Sequence, residues 1–231
     1  MDRRLLGKVK RKRRILDAAR ARIVSGGVSS LAMRGLAEDA QVSVRTLYNL
    51  FGNKDDILDA LVAELLAELD LTINGLVLDD PIARCKAIVQ VSIDRLIEEQ
   101  VVYRPVLRAQ SRRMEAFREG DERSLAAFRK ALEEAVRGRV LTQHVSPETL
   151  SHQMYAAHQH NILLWAHGVL DDRQARAAAI HSCALLLMAA GTAKTRNDIL
   201  SELPDMEKDL TRALACPPLA VSRPRLGLAK I

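Results

Sequence analysis

Residues 41–54, Gln-Val-Ser-Val-Arg-Thr-Leu-Tyr-Asn-Leu-Phe-Gly-Asn-Lys, constrain the fold of this chain more tightly than any other stretch. Placed on a helix at about 100° per residue, Leu47, Leu50, Phe51 and, at the border, Val44 gather on one side. Arg45, Tyr48 and Asn49 gather on the other, with Thr46 at the edge. The first set can bury and the second can face a partner. Ser43 suits the N-cap, because its hydroxyl can accept from the backbone amide of Arg45 or Thr46. Asn53 is a second N-cap, with Asp56 three residues on in a first turn that favours carboxylates. The pattern reads as a turn, a short helix with one polar face, and a basic residue, Lys54, opening the next helix.

Helical spacing recurs through most of the remaining chain, and no segment shows the sustained alternation or hairpin dipeptide of a strand. The expected class is all-α. A first helix is expected from about Lys10 to Ser25, burying Ile15, Leu16, Ala19, Ile23 and Val24, and stopped by Gly26-Gly27. A second spans about Met33 to Ala40, and a fourth runs from Asn53 to about Leu71 with Ile57, Leu58, Leu61, Val62, Leu65, Leu66 and Leu69 as its apolar face. Residues 72–80 read as a connector in which Asp80 can cap and Pro81 opens the next helix. Later helices are expected over 81–100, 103–118, 121–143, 147–168, 172–193 and 196–214, with breaks at Arg104-Pro105, Gly120-Asp121, Ser146-Pro147 and Gly168 to Asp171. The implied organisation is a flexible basic arm (1–10), an N-terminal domain with its connecting fourth helix (11–71), a larger helical domain (72–215) and a flexible tail (216–231).

At 231 residues the chain can bury a sizeable core, and with 48% hydrophobic but 3% aromatic residues that core is aliphatic. The net charge of +6 is uneven. Residues 1–14 carry eight basic side chains against Asp2 alone, which leaves the other residues near −1 in total. A basic arm attracts phosphate, although the same run could serve as a solubilising tail or lie on a membrane surface. Cys85, Cys183 and Cys216 are scattered and form no CxxC pair, and no apolar leader or bilayer-length segment is present. A cytoplasmic protein is expected.

From about Arg11 to Leu66 the chain resembles the DNA-binding domain of TetR-family transcriptional regulators. The resemblance rests on Ile15-Leu16-Asp17-Ala18-Ala19, Met33-Arg34-Gly35-Leu36-Ala37, Val42 to Tyr48, Phe51-Gly52-Asn53-Lys54 and Ile57-Leu58, spaced across four helices. It implies an N-terminal helix-turn-helix domain of three helices, followed by a larger ligand-binding and dimerisation domain. The candidate DNA contacts are then Arg34, Ser43, Val44, Arg45, Thr46, Tyr48, Asn49 and Lys54. Tyr48 and Lys54 match phosphate contacts, and Thr46 matches a phosphate or base contact. Ser43, Val44, Arg45 and Asn49 would face base edges, Arg45 with a guanidinium able to bond guanine O6 and N7 together. A phosphate contact is the alternative for Arg45.

Three positions depart from the family pattern. Leu50 stands where an aromatic or His often touches DNA. Gln41 stands where the turn often has Gly, so a positive φ there would be strained. Ala32 stands where a hydroxyl often caps the second helix, leaving Ser29 or Ser30 to do so.

The resemblance further implies a homodimer on a palindromic operator, expected to be a repressor released by a small molecule. The small residues Ala175, Ala178, Ala179, Cys183, Ala184, Leu187 and Ala190, with Leu150, Met154, Ala157, Leu164 and Trp165, suit a four-helix dimer interface or, alternatively, an ordinary intrachain core. Candidate ligand-lining residues are Tyr103, Met114, Phe117, Phe128, Tyr155, His158 and Trp165, which with so few aromatics imply an aliphatic pocket for an apolar or amphipathic effector. Two rival readings stand beside this one: an architectural DNA-binding protein without ligand control, and a metal-binding helical enzyme using His152, His158, His160 and His167. The second lacks HExxH, a three-ligand face, a nucleophile elbow and a phosphate loop, so neither catalysis, a metal nor a cofactor is expected.

Overall fold

The structure is a computed structural model that describes residues 3–76, 78–111 and 118–215. Among these residues all regular structure is helical: ten α-helices, one 3-10 turn (Val28–Ser30) and a single isolated bridge between Leu141 and Gly191. No helix of the described residues is long and apolar enough to cross a membrane. Helices α1 (Arg3–Gly26), α2 (Met33–Asp39), α3 (Val44–Phe51) and α4 (Lys54–Asn74) build the N-terminal head. Helices α5 (Pro81–Glu98), α6 (Gln100–Gln110), α7 (Arg118–Arg137), α8 (Pro147–Ala166), α9 (Asp172–Ala190) and α10 (Ala193–Leu214) build the body.

Local chemistry accounts for five of the ten helix starts among the described residues. Ser43, Asn53, Asp80, Ser146 and Asp171 each accept a backbone amide at an N-terminus, with Pro81 and Pro147 just inside. Some boundaries differ from the sequence expectation. Residues 3–10, expected as a flexible arm, continue α1 as helix. Pro105, expected as a break, sits inside α6, and α7 runs through Gly120-Asp121. α7 closes through a left-handed Arg139 (φ 55°), with the Val140 amide reaching back to Ala135 O, and the segment beyond pairs with the α9–α10 turn: the Thr142 amide donates to Ala190 O, and Thr192 N and Thr195 Oγ1 both donate to Val140 O. The N-cap of α2 is Ala32, with no side-chain bond; the Ser30 hydroxyl instead lies within donating distance of both Arg22 O and Gly27 O, its one hydrogen serving either, and so ties the 3-10 turn to α1.

The apolar core crosses the expected boundary at residue 71. One cluster joins Ile15, Leu36, Leu47, Ile57 and Leu61 of the head to Ile93, Tyr103, Val106, Ile162 and Trp165 of the body. A second fills the far end of the body around Phe128, Leu132, Cys183 and Leu187. Ala175, Ala179, Cys183, Ala184, Leu187 and Ala190 are all buried inside this one chain, as are Leu150, Met154 and Trp165. α9 packs against α5, α8 and α10, so its stripe of small residues serves the chain's own bundle, where short side chains let helices approach closely. These residues do not form a surface that a second copy could reach.

Two arginines of α1 fix the angle between α1, α2 and α3. Arg22 bonds Asp39 at 2.6 Å, and its guanidinium lies so close to Gly35 that a Cβ there would meet it at 2.6 Å. Arg14 donates to Ala40 O and Gln41 O at the end of α2. Gln41 itself takes φ 51°, and the Val42 amide reaches back to Ala37 O, the Schellman closure in which this position is usually glycine. A left-handed non-glycine residue costs about 1–2 kcal/mol, of which glycine's extra unfolded-state entropy would return about 0.5–1. Gln41→Gly should therefore raise the unfolding free energy by about 0.5–1 kcal/mol in urea titration, and Gln41→Val should lower it by at least as much. A stabilising Gln41→Val would contradict the strain assigned to this turn.

His158 is buried on α8, with Nε2 2.5 Å from Ser92 Oγ on α5. Burial pulls its pKa down to about 4. The unfolded chain binds this proton near pH 6.5 and the native one only near 4, so between those values the unfolded state holds more protons. The contribution is complete above about pH 6.5 and is lost as pH falls towards 4, up to about 3 kcal/mol in all. Unfolding free energies of wild type and His158→Gln at pH 7 and 4.5 should show a smaller acid loss in the variant; equal losses would contradict this burial cost.

Candidate nucleic-acid interface and interior cavity

The first turn of α3 is closed by its own cap. Ser43 Oγ accepts from the Thr46 amide at 3.0 Å and lies 2.8 Å from Thr46 Oγ1, so both hydroxyls are engaged locally. Leu47 and Phe51 are buried, and Leu50 packs partly against the head core. On the opposite side Arg45 and Asn49 are exposed, as are Val44 at 39% and Tyr48 at 49%. Arg45, Tyr48 and Asn49 make no hydrogen bond or ion pair to other described residues, which leaves a guanidinium, a phenol and a carboxamide facing solvent together. Arg34, on α2, is 88% exposed and only 3.6 Å from Glu38, a contact of little energetic weight.

At the far end of α3, Gly52 turns the chain with φ 75°, and a Cβ there would strike Asp56 Oδ2 at 2.6 Å. That carboxylate accepts the Asn53 amide at 2.9 Å, while Asn53 Oδ1 accepts from the Asp55 and Asp56 amides. The capping box uses amides that could otherwise hold an anion, and Asp55 and Asp56 add negative charge. Any phosphate here would therefore depend on the half-buried Lys54 side chain more than on the helix terminus. The basic run also divides: Arg14 holds the α2–α3 turn and Lys12 lies 5.3 Å over the Phe51 ring, while Lys8, Lys10, Arg11 and Arg13 are exposed along α1.

Between α4 and the body lies a partly open cavity of about 110 Å³. α4 forms one wall with Val62, Leu65, Leu66, Leu69 and Ile73; α5, α6, α7 and α8 supply Ser92, Gln110, Phe128, Tyr155 and His158 among others. Of the expected lining residues, Phe128, Tyr155 and His158 reach this cavity. Tyr103 and Trp165 do not: both are fully buried elsewhere, Tyr103 beside Arg20 at the head–body junction and Trp165 donating to Asp172 under the Arg104 guanidinium. Met114 and Phe117 lie outside the described residues, as does the tail 216–231. The α4 wall was missed, yet it had a signal. Adjacent apolar pairs at 57–58, 61–62 and 65–66 make a stripe too wide for one partner, so α4 had to pack on two sides.

The polar groups around the cavity are mostly satisfied. Gln110 donates to Asp59 on α4 at 2.8 Å, and Gln159 donates to Tyr155 Oη. His158 Nδ1 has no partner. Of the remaining histidines on this helix, His152 sits 3.3 Å from Glu148 and His160 is exposed, while the following His167 lies 3.0 Å from Ser111. Among the described residues no three His, Cys, Asp or Glu side chains converge as a metal site.

Residues 15–61 match the family described as bacterial regulatory proteins, tetR family. Over 61 residues the chain is 38% identical to the nicotine-responsive transcriptional repressor HdnoR of Paenarthrobacter nicotinovorans, a stretch that spans 26% of this chain and 31% of that relative. The whole fold is similar to a TetR-family regulator of Pectobacterium atrosepticum, with a TM-score of 0.69 and 18% identity over 83% of this chain and 98% of that one. It is also similar to RolR in complex with resorcinol, with a TM-score of 0.64 and 14% identity over 94% of this chain and 100% of that one. Residues 15–61 thus carry the pattern of the tetR family of bacterial regulatory proteins, and the fold of the whole chain is similar to that of solved structures described as TetR-family regulators.

Proposed function

We propose that this chain is a cytoplasmic, sequence-specific DNA-binding regulator that acts as a homodimeric repressor on a palindromic operator and is released by a small apolar or amphipathic molecule. The observation that carries the reading is the outward face of α3. Arg45, Tyr48 and Asn49 lack partners among the described residues, and the capped first turn leaves Val44 and Arg45 exposed at the start of α3, the part of a recognition helix that would meet base edges. Ser43 and Thr46, which satisfy each other, would act mainly by fixing that turn. Lys54 and Tyr48 would take phosphates, with Arg34 and the exposed basic residues of α1 adding attraction along the backbone.

One reading helix spans too few base pairs for operator selectivity, and a dimer solves this with two helices about 34–36 Å apart. With the inner residues of α8 and α9 committed to the chain's own core, a second copy would have to use their outward residues, such as Ala156, His160, Leu185 and Ala189. Release by a ligand is supported by the cavity. α4 starts at Lys54 and lines the cavity at Leu66, about 18 Å along its axis at ~1.5 Å per residue. An effector that prefers the state with poorly spaced reading heads would weaken DNA binding, and DNA would weaken effector binding equally. HdnoR, named as nicotine-responsive, and RolR, solved with resorcinol, agree with a small-molecule effector.

Selection of bound duplexes from a random pool should return an inverted repeat; recovery of no motif, or of one unpaired half-site, would refute the dimeric specific reader. On the selected duplex, Arg45→Ala should cost about 1–3 kcal/mol and relax preference at one base position. Lys54→Ala should weaken all duplexes about equally and reduce the slope of affinity against salt by about one. Identical behaviour of the two variants would contradict this division of labour.

A further inference from the structure

The first turns of α1 have no cover among the described residues. At Arg20 the helix meets α4 and α6, through Glu64 at 2.9 Å and the Tyr103 side chain. Further towards its N-terminus it passes α3: Arg14 donates to Gln41 O just before that helix, and Lys12 lies 5.3 Å over Phe51 at its end. Ile15 is the first buried residue of the described helix, and no residue from 5 to 14 is buried. α1 therefore runs from the head–body junction past α3 and leads on, away from the body. From Lys12 back to Arg3 this is up to about 14 Å further at ~1.5 Å per residue.

This projecting segment is strongly cationic. Lys8, Lys10, Arg11 and Arg13 are exposed, and none pairs with a carboxylate among the described residues. The helix sequence holds no acid before Asp17. Cations three or four residues apart on a helix repel, so Lys8 with Arg11 and Lys10 with Arg13 weaken the segment while it is bare. At about 100° per residue the four cover more than half of the circumference. Leu5, Leu6 and Val9 are exposed beside them, too few to hold a chain on a bilayer, where binding scales with the apolar area buried. A polyanion that offers charge on more than one side fits better, and duplex DNA carries a phosphate about every 3.4 Å along each strand.

We propose that the free turns of α1 form a second DNA-contacting element, which holds phosphates of the duplex flanking the segment read by α3. This rests on the reading of α3 as the helix that meets DNA, and it adds a contact surface outside the half-site. With a duplex against the outward face of α3, a helix that passes α3 and leads away from the body lies beside the same duplex. Its free length spans up to about four base pairs. Because these turns are helical, the four cations keep a fixed spacing and lose less freedom on binding than a loose arm would.

The test uses the full-length protein and the duplex it selects from a random pool. Hydroxyl-radical footprints should show the flank of each half-site protected. The combined variant Lys8→Ala, Lys10→Ala, Arg11→Ala and Arg13→Ala should lose up to about four base pairs of that protection. Alanine favours the helix, so the head should fold unchanged. In the same variant the slope of log affinity against log salt should fall by about three to four per bound chain, at about 0.9 for each phosphate contact. The same substitution at four exposed cations of the body, Lys130, Arg137, Lys194 and Lys208, should leave slope and footprint as they were. Val9→Pro, which keeps every charge and breaks the helix, should also shorten the flank. Equal footprints for wild type and the α1 variant, an equal fall in slope from the body variant, or a full flank in Val9→Pro would each overturn the proposal. Wild-type binding to phosphatidylglycerol vesicles that the α1 variant loses, with its footprint intact, would assign the helix to a membrane surface instead. Protected half-sites with bare flanks would refute this element and leave α3 as the reader; a protein that protects no duplex would refute both.

Discussion

The packing of α4 on two sides is the constraint on which the rest of the structure depends. Ile57, Leu58 and Leu61 are fully or almost fully buried in the head, while Val62, Leu66 and Ile73 turn towards the cavity of the body. Polar ties follow the same helix: Glu64 to Arg20 on α1 at 2.9 Å, Asp59 to Gln110 on α6 at 2.8 Å and Glu68 to Arg95 on α5 at 3.0 Å. The ion pairs are partly exposed and individually weak, so the continuous apolar packing sets the register and the pairs refine it. One helix thus carries residues of both the head core and the cavity wall.

The head illustrates how a short polar face is held outward. Leu47 and Phe51 anchor α3, Gly52 allows the sharp return to α4, and Arg14 and Arg22 brace the turns at either end of α2. Part of the N-terminal positive charge is thus structural. Lys12 and Arg14 are committed to Phe51 and to the α2 carbonyls, and the exposed remainder lies on a helix instead of a loose arm. A count of charges shows attraction for phosphate but does not distinguish these two kinds of residue.

Much of this was legible in the sequence wherever the cause was local. The caps at Ser43, Asn53 and Asp80, the two faces of α3 and the unusual φ of Gln41 depend on a few neighbouring residues, and each is found in the structure. What was not legible depends on which element packs against which. The small residues of α9 suit a partner chain and a partner helix equally, and the fold gives them to α5, α8 and α10. Tyr103 and Trp165 are bulky and near the right helices, yet Tyr103 packs beside Arg20 of the head and Trp165 is held by Asp172 under Arg104, which leaves the cavity to Phe128, Tyr155 and His158. Periodicity identifies a buried face without identifying what covers it.

The chain has three tyrosines, and they stand at three stations of this account: Tyr48 on the outward face of α3, Tyr103 in the core between head and body, and Tyr155 on the cavity wall. Fluorine NMR of protein labelled with 3-fluorotyrosine therefore reads all three at once while duplex DNA is added at low salt. Saturating duplex should shift the Tyr48 resonance and shield it from solvent, with smaller responses at Tyr103 and Tyr155 carried along α4. An unchanged Tyr48 resonance in protein fully bound to DNA would contradict the account at its centre.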